Sequence, residues 1–534
     1  MKRPCNIGVL LIAIMLVFWL PMPGEGTDFN GDGNVDFVDF LLFAQGYQKQ
    51  DLAFDVNHDG EVGFGDLLIF AQAFAQTHQD VMVGNITELN AAFASAEPGD
   101  RIVMRNGTWR DADILFTARG EAGRVITLAA ETPGQVILTG SSRLRFAGQY
   151  LVVDGLWFKD GALTSGHVIQ FRRDSSFLSH HCRLTNTAIT DYNPPSDTVE
   201  YKWISLYGTD NRVDHCFVSG KNHDGATVVV WVGDGPNDHQ IDNNHFGDRP
   251  VLGRNGGETL RVGTSSVSMT TSRTVVEHNL FEGCDGEIEI ISSKSGANVY
   301  RYNTFRSSQG MLTLRHGNRN VVEGNFFLGE GISNTGGVRV IGEDHLVVNN
   351  YFERLQGTGG RSALVLVDGV PSSPLNGYFQ VKRALIALNT FVDCRQTIEI
   401  GNGMGSSNRS LPPVDVTFAD NLVRGTGERS IVNVVDTPLQ MTWKGNIFGG
   451  GAIGINVSGI REAIPQLEHR EGLFRPVAGG VGADAASSIY FNIKTDIDGQ
   501  ARSGVFDVGC DETSDLAVTI RPLKATDVGP AWKN

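Results

Sequence analysis

Asn303-Thr-Phe-Arg-Ser-Ser-Gln-Gly310-Met-Leu-Thr-Leu-Arg315-His-Gly-Asn-Arg-Asn-Val-Val-Glu-Gly-Asn325-Phe-Phe327 holds one full period of a pattern that runs through most of this chain. It opens and closes on an Asn two places before a Phe. The same triplet form recurs as Asn244-His-Phe246, Asn279-Leu-Phe281, Asn350-Tyr-Phe352, Asn389-Thr-Phe391, Asn421-Leu-Val423 and Asn446-Ile-Phe448. Successive Asn residues from Asn244 onward are 35, 24, 22, 25, 39, 32 and 25 positions apart. A base period of 22–25 with occasional insertions suits a parallel β-solenoid, with one coil per repeat and long loops on some coils only. Stacked Asn side chains can hydrogen-bond along the axis at a turn, and stacked Phe rings fill the interior beside them. A sandwich or barrel also has many short strands, but neither makes one triplet recur at a fixed period. The expected fold is all-β, a single right-handed parallel β-helix over residues 83–534.

Between the triplets lie Gly-led strands: Gly257-Glu-Thr-Leu-Arg-Val-Gly, Gly286-Glu-Ile-Glu-Ile-Ile, Gly310-Met-Leu-Thr-Leu-Arg-His-Gly and Gly337-Val-Arg-Val-Ile-Gly. Side chains alternate between the faces of a strand. Placing Leu260/Val262, Ile288/Ile290, Leu312/Leu314 and Val338/Val340 inward turns Thr259/Arg261, Glu287/Glu289, Thr313/Arg315 and Arg339/Ile341 outward. Neighbouring coils lie about 4.8 Å apart, so these acids and arginines share one surface.

Glu287 and Glu289, with the amide oxygen of Asn255 one coil earlier, could ligate calcium and leave room for substrate oxygens. A solvated acid pair, or salt bridges to Arg261 and Arg315, is the alternative. Lys294 follows on the same strand. It is either an ordinary surface lysine or a general base, because a neighbouring cation and Arg315 disfavour its ammonium form. Arg315 either pairs with Glu289 or stabilises developing negative charge; a guanidinium is a poor proton donor. His316 should point to the other side of the strand unless the Gly317 turn reorients it. A uronic-acid polymer suits this set. Abstraction of its C5 proton needs charge stabilisation on the adjacent carboxylate, and β-elimination then leaves a 4,5-unsaturated uronate.

The N-terminus differs in character. Met1-Lys2-Arg3 precedes an apolar run from Ile7 to Leu20, closed by Pro21-Met-Pro-Gly-Glu-Gly26. That is the pattern of a secretory signal peptide over 1–26, and the run is short for a membrane span. A secreted bacterial protein is expected, with no membrane association after cleavage. Two segments then match each other. Asp28, Asn30, Asp32 and Asn34 lead to Asp39, while Asp55, Asn57, Asp59 and Glu61 lead to Asp66. Oxygen ligands at positions 1, 3 and 5, Gly at 6, a backbone carbonyl at 7 and an acid at 12 can wrap a hard cation. An apolar helical run follows each loop, Phe40-Leu-Leu-Phe-Ala-Gln and Leu67-Leu-Ile-Phe-Ala-Gln. A small helical calcium-loop module over 27–77 and a linker at 78–82 are expected. The net charge is −16, half of it contributed by residues 28–66. Nucleic acid is not an expected partner, and a polyanion site elsewhere must be locally basic or metal-assisted. Five scattered cysteines beyond Cys5 form neither a disulfide framework nor a zinc motif and are expected to be buried free thiols.

The duplicated loop–helix unit resembles a dockerin type I repeat pair, which implies two calcium ions and a cohesin-like partner. Positions 10 and 11 of the loops, Phe37-Val38 and Phe64-Gly65, lack the small polar pairs of cellulosomal dockerins. The stretches Asn255-Gly-Gly-Glu-Thr-Leu-Arg-Val-Gly, Asp285-Gly-Glu-Ile-Glu-Ile-Ile-Ser-Ser-Lys-Ser and Leu312-Thr-Leu-Arg-His-Gly-Asn resemble polysaccharide lyase family 6, which contains alginate lyases and chondroitinase B. The likeness runs from about Val81 to the Asp507–Glu512 tail. It implies Lys294 as catalytic base, Arg315 as catalytic arginine and calcium on Asn255, Glu287 and Glu289. Arg261, His316 and Arg339 fall where the family contacts substrate, with Lys221 and Arg361 as further candidates. The Asn255 block and Lys202-Trp-Ile-Ser-Leu-Tyr-Gly look more like alginate lyases than chondroitinase B. Alginate is therefore the expected substrate. A chondroitin or dermatan sulfate lyase and a non-catalytic polysaccharide-binding β-helix are the alternatives.

Overall fold

The computed structural model describes residues 27–30, 35, 37–75, 80–487 and 493–533. The signal segment expected over 1–26, and Asp32 and Asn34 of the first loop, lie outside the described residues. The chain divides into two compact units, 1–79 with 122–124, and the remainder.

In the small unit, α1 spans Phe37–Lys49 and α2 spans Phe64–Ala75. Phe43 and Phe70 stack face to face at 5.5 Å, with Phe29 against both. The position-12 acids are buried and close their loops. Asp39 Oδ1 accepts from the backbone N–H of Phe29 (2.7 Å) and Asn30 (3.1 Å). Asp66 accepts likewise from Asn57 (3.0 Å) and Gly63 (2.7 Å). Asp55, Asp59 and Asp66 bring carboxylate oxygens within 4.8 Å of one another. Asn57 Oδ1 accepts from the Asp59 N–H, and Asp59 Oδ1 from the Glu61 N–H. Asp28 and Asn30 lie at the start of the first loop, beside the pair of N–H groups that Asp39 holds.

The large unit is a right-handed parallel β-helix. Its strands form three long parallel sheets, two of 14 strands and one of 13, and the order in each steps once per coil. The linker is shorter than 78–82, because Val81 and Met82 already pair with Ile102 and Val103 in the first strand. Helix α3, Ile86–Ser95, buries Leu89 and Phe93 against the first coils. Its N-cap Asn85 accepts from the N–H groups of Thr87 and Glu88, and Glu88 reaches back to the Gly84 N–H. Beyond strand Ile460–Glu462 the coils give way to an antiparallel pair, Leu467–Arg470 with Leu473–Pro476. The C-terminal tail then runs back along the stack. The Leu523 N–H donates to Thr304 Oγ1, the Gly529 N–H to the Asn243 carbonyl, and Trp532 Nε1 to the Asn186 carbonyl.

The recurring triplet forms two axial columns. Asn244, Asn279, Asn303, Asn325, Asn350, Asn389, Asn421 and Asn446 are all fully buried. The Oδ1 of each Asn after the first accepts the backbone N–H of the Asn one coil earlier, at 3.0–3.1 Å. Phe246, Phe281, Phe305, Phe327, Phe352 and Phe391 stack beside them at 4.5–4.9 Å. The residue before each Asn has positive φ, between 53° and 64°, whether it is Gly324, Tyr302 or Leu388. A left-handed residue turns the chain sharply from one sheet to the next, and Leu there is costly. The ladder behind it holds the corner. The five cysteines are buried free thiols, as their spacing indicated.

Replacing Asn303 with Ala leaves the Asn279 N–H and the Val276 carbonyl without their side-chain partner. The Asn303→Ala protein is expected to lose about 2–3 kcal/mol of unfolding free energy, read from denaturant midpoints.

Candidate functional site

Four adjacent strands of the 13-stranded sheet carry the site: Leu260–Gly263, Glu289–Lys294, Met311–His316 and Val338–Val340. Arg261, Ser292, Thr313 and Arg339 align in one row across the coils, and Gly263, Lys294 and His316 in the next. The simple alternation expected from the sequence fails at two register shifts. Between Glu289 and Ile291 the ladder skips Ile290, and between Leu314 and His316 it skips Arg315. Ile291 and Ser293, not Ile288 and Ile290, therefore align with inward Leu260 and Val262. Ile290 is nonetheless buried in the core, so two consecutive isoleucines fill it. Glu287 stands in the bend ahead of its strand rather than on it. His316 comes into line with Lys294 through the second bulge, not through the Gly317 turn. Bulges of this kind re-aim side chains beside functional sites.

Two Gly-Glu pairs bring the acids together. A Cβ on Gly257 would come within 2.4 Å of the Gly286 carbonyl oxygen, and one on Gly286 within 2.2 Å of the Gly257 carbonyl oxygen. Only glycine permits that backbone approach, which sets Glu258 beside Glu287. Glu258, Glu287 and Glu289 place carboxylate oxygens within 4.8 Å of one another. Burial, then Glu258 and Glu289, push the Glu287 carboxyl up to about 8. Glu258 is 1 % exposed, and its Oε2 has no hydrogen-bond partner. A buried, unpaired carboxylate oxygen in an all-oxygen donor set fits a hard divalent cation. Asn255 is exposed in the bend three residues before Glu258. Glu258 escaped the sequence reading, although its recurrence in Gly257-Glu258 and Gly286-Glu287 was the signal.

Around the acids lie the bases. Lys294 Nζ is 3.4 Å from Glu258 Oε1, and its side chain is 14 % exposed. Arg315 Nε and Arg339 Nη1 each lie 3.9 Å from Glu289 Oε1, while Ser292 Oγ donates to Glu289 Oε2. Burial lowers the Arg315 guanidinium below its ordinary range. His316 is buried, and burial, then Arg315 and Lys294, hold it near 3, so it is a neutral ring. Arg261 lies over the Trp231 ring at 5.6 Å. Arg361, half-buried, donates to the Gln309 carbonyl. Arg261 Nε, Arg339 Nε, Thr313 Oγ1 and His316 Nε2 are buried without hydrogen-bond partners. These unpaired polar atoms lie on the same strands as the acids and the arginines.

Lys221 differs from expectation. It is 1 % exposed, and its Nζ donates to the carbonyls of His223 (2.8 Å) and Asp224 (3.1 Å). Burial, then Arg249 and Lys202, bring it down to about 5. It braces a turn rather than facing a polymer. A third acidic group, Asp496, Asp498 and Asp511, has Arg475 set against Asp498 and Asp511, which gives it a structural counter-charge.

The family model of chondroitinase B matches residues 83–448. The chain belongs to this family of polysaccharide lyases, family 6. A solved family 6 alginate lyase, AlyGC, is 39 % identical with a TM-score of 0.76. That match covers 85 % of this chain, which spans 59 % of the AlyGC chain. A mannuronic acid specific family 6 lyase from human gut microbiota is 31 % identical over 70 % of this chain and 86 % of its own, TM-score 0.61. A family 6 alginate lyase in complex with a trisaccharide is 26 % identical over 76 % of this chain and 92 % of its own, TM-score 0.66. Comparison with curated proteins gives no match.

Arg249 is a further positioning residue that was not singled out from the sequence. Fully buried, it donates to the carbonyls of Gly257 (2.6 Å), Gly225 (3.1 Å) and Gly256 (3.1 Å), and so fixes the turn that carries Glu258. Arg249→Met strands these carbonyls and is expected to cost about 3 kcal/mol in unfolding free energy, read by denaturant titration. Arg249→Lys, with fewer donors in a different geometry, should recover little of it.

Proposed function

We propose that the protein cleaves a uronic-acid polysaccharide, alginate, by β-elimination at the strip formed by Glu258, Glu287, Glu289, Lys294 and Arg315. The observation that carries this reading is a lysine beside a three-carboxylate cluster, flanked by half-buried and buried arginines, in a chain of a polysaccharide lyase family. Lys294 takes the C5 proton at Nζ. The electron pair left at C5 forms the C4=C5 double bond as the C4–O4 bond breaks, and the O4 oxygen takes a proton from water. Arg315 and Arg339 hold the uronate charge; Arg315 acts as a fixed cation rather than a proton donor, since a guanidinium retains its protons. His316, neutral, can accept or donate a hydrogen bond to substrate, and Arg261 and Arg361 lie along the same strip.

Glu258, Glu287 and Glu289, with Asn255 as the further ligand that the family resemblance implies, would hold a calcium ion. Bound there, calcium would neutralise the substrate carboxylate and so acidify C5–H. Alginate is favoured over sulfated glycosaminoglycans because the 39 % identical relative is an alginate lyase. Chondroitin or dermatan sulfate remains the second reading, from the family model's own description. The N-terminal unit, with its two closed acidic loops, is read as a dockerin-like module holding two further calcium ions and docking on a cohesin-like partner. The apolar segment before it is read as an export signal.

Mixing the protein with alginate should raise ultraviolet absorbance from the unsaturated uronate, and dermatan sulfate should give little. Binding of both polymers without absorbance would refute the lyase. Lys294→Ala should lower turnover by at least about 10²-fold with an unchanged thermal midpoint, in line with loss of a general base. Chelation of calcium should suppress turnover. The same suppression should persist after deletion of residues 27–77, which removes the N-terminal loops, and activity of the deletion protein in chelator would rule out calcium at the Glu287 cluster.

A further inference from the structure

The bulge that skips Arg315 leaves it without a ladder partner on the Lys294 strand, so the sheet alone does not fix where its guanidinium points. A short segment of the loop after strand Leu364–Val367 does. Arg315 Nη1 donates to the Gly377 carbonyl at 2.6 Å and Nη2 to the Asn376 carbonyl at 3.3 Å. Its Cζ lies 4.1 Å from the ring centroid of Tyr378, the next residue. Arg409 Cζ lies 4.7 Å from the same ring. The loop is itself anchored across the coils, because buried Ser268, in the turn after the Arg261 strand, donates from Oγ to the Leu375 carbonyl at 2.7 Å. Residues 375–378 thus span from one edge of the strip to its catalytic arginine.

We propose that Tyr378 is the positioning residue of Arg315. Its ring face fixes the plane of the guanidinium, while the carbonyls of Asn376 and Gly377 fix its direction. This rests on the reading of Arg315 as the charge that stabilises elimination. A cation over an aromatic face is held by the ring's quadrupole, so the ring is required and the hydroxyl is not. A reaction-centre charge displaced by an ångström loses much of its effect in the transition state while ground-state binding changes less.

The test uses the full-length protein and the absorbance assay on alginate. Tyr378→Ala and Tyr378→Leu should each lower kcat roughly tenfold with less than about a threefold change in KM. Tyr378→Phe should bring kcat back to within about threefold of the starting protein, because it keeps the ring face. On an Arg315→Ala background, Tyr378→Leu should cost nothing further, since the two residues act as one unit. Three results overturn the proposal: a Phe variant as slow as the Leu variant, full retention of kcat in the Leu variant, or additive losses in the double variant. A crystal structure of Tyr378→Leu gives a readout that does not depend on turnover. Arg315 should leave the Asn376 and Gly377 carbonyls. Its retention there refutes the positioning role even if no uronan proves to be a substrate, whereas an inactive starting protein with a displaced Arg315 in the variant refutes only the function.

Discussion

The asparagine ladder is the constraint on which the rest depends. In a β-helix each coil must start its turn in register with the one below, or every outward side chain moves to the wrong row. Here the side-chain amides of eight buried asparagines hydrogen-bond from coil to coil, and the phenylalanine column packs beside them. With the corner pinned, strained left-handed residue Leu388 included, the sheet that carries the acids and arginines tolerates register shifts such as those at Ile290 and Arg315. The geometry of the charged strip is thereby separated from the elements that hold the fold.

What the ladder makes possible is a dense patch of opposed charge. Glu258, Glu287 and Glu289 crowd together because Gly257 and Gly286 allow their backbones to approach more closely than any side chain permits. Lys294, Arg315 and Arg339 stand 3.4–3.9 Å from these acids, at distances that leave the pairs loosely made. Burial then drives Glu287 toward protonation and His316 toward neutrality. Interactions this strained are not a source of stability, since buried charges without tight partners cost free energy. Arg249 and the Ser268-anchored loop offset that cost around the patch by satisfying backbone carbonyls and the Arg315 guanidinium.

The small N-terminal unit follows a different logic. Its core is a few stacked phenylalanines, and its loops close on the buried carboxylates of Asp39 and Asp66. Phe64, the first residue of α2, is 73 % exposed, so this unit leaves an aromatic ring on its surface.

Read alone, the sequence determined the solenoid, because a fixed period of one triplet is local information that needs no tertiary contact. It also determined which strands neighbour one another, and hence that Glu287, Glu289, Lys294, Arg315 and Arg339 share a surface. Tertiary structure decided the rest, and the reason is specific in each case. Alternation assumes an unbroken ladder, and the shifts at Ile290 and Arg315 arise from packing between coils that no single strand encodes. Lys221 reads as a surface cation until the turn at His223 and Asp224 closes over it. Glu258 looks like any strand-leading acid until two glycines of adjacent coils touch. Tyr378 lies far from Arg315 in the chain and reaches it only because its loop folds back across the strip.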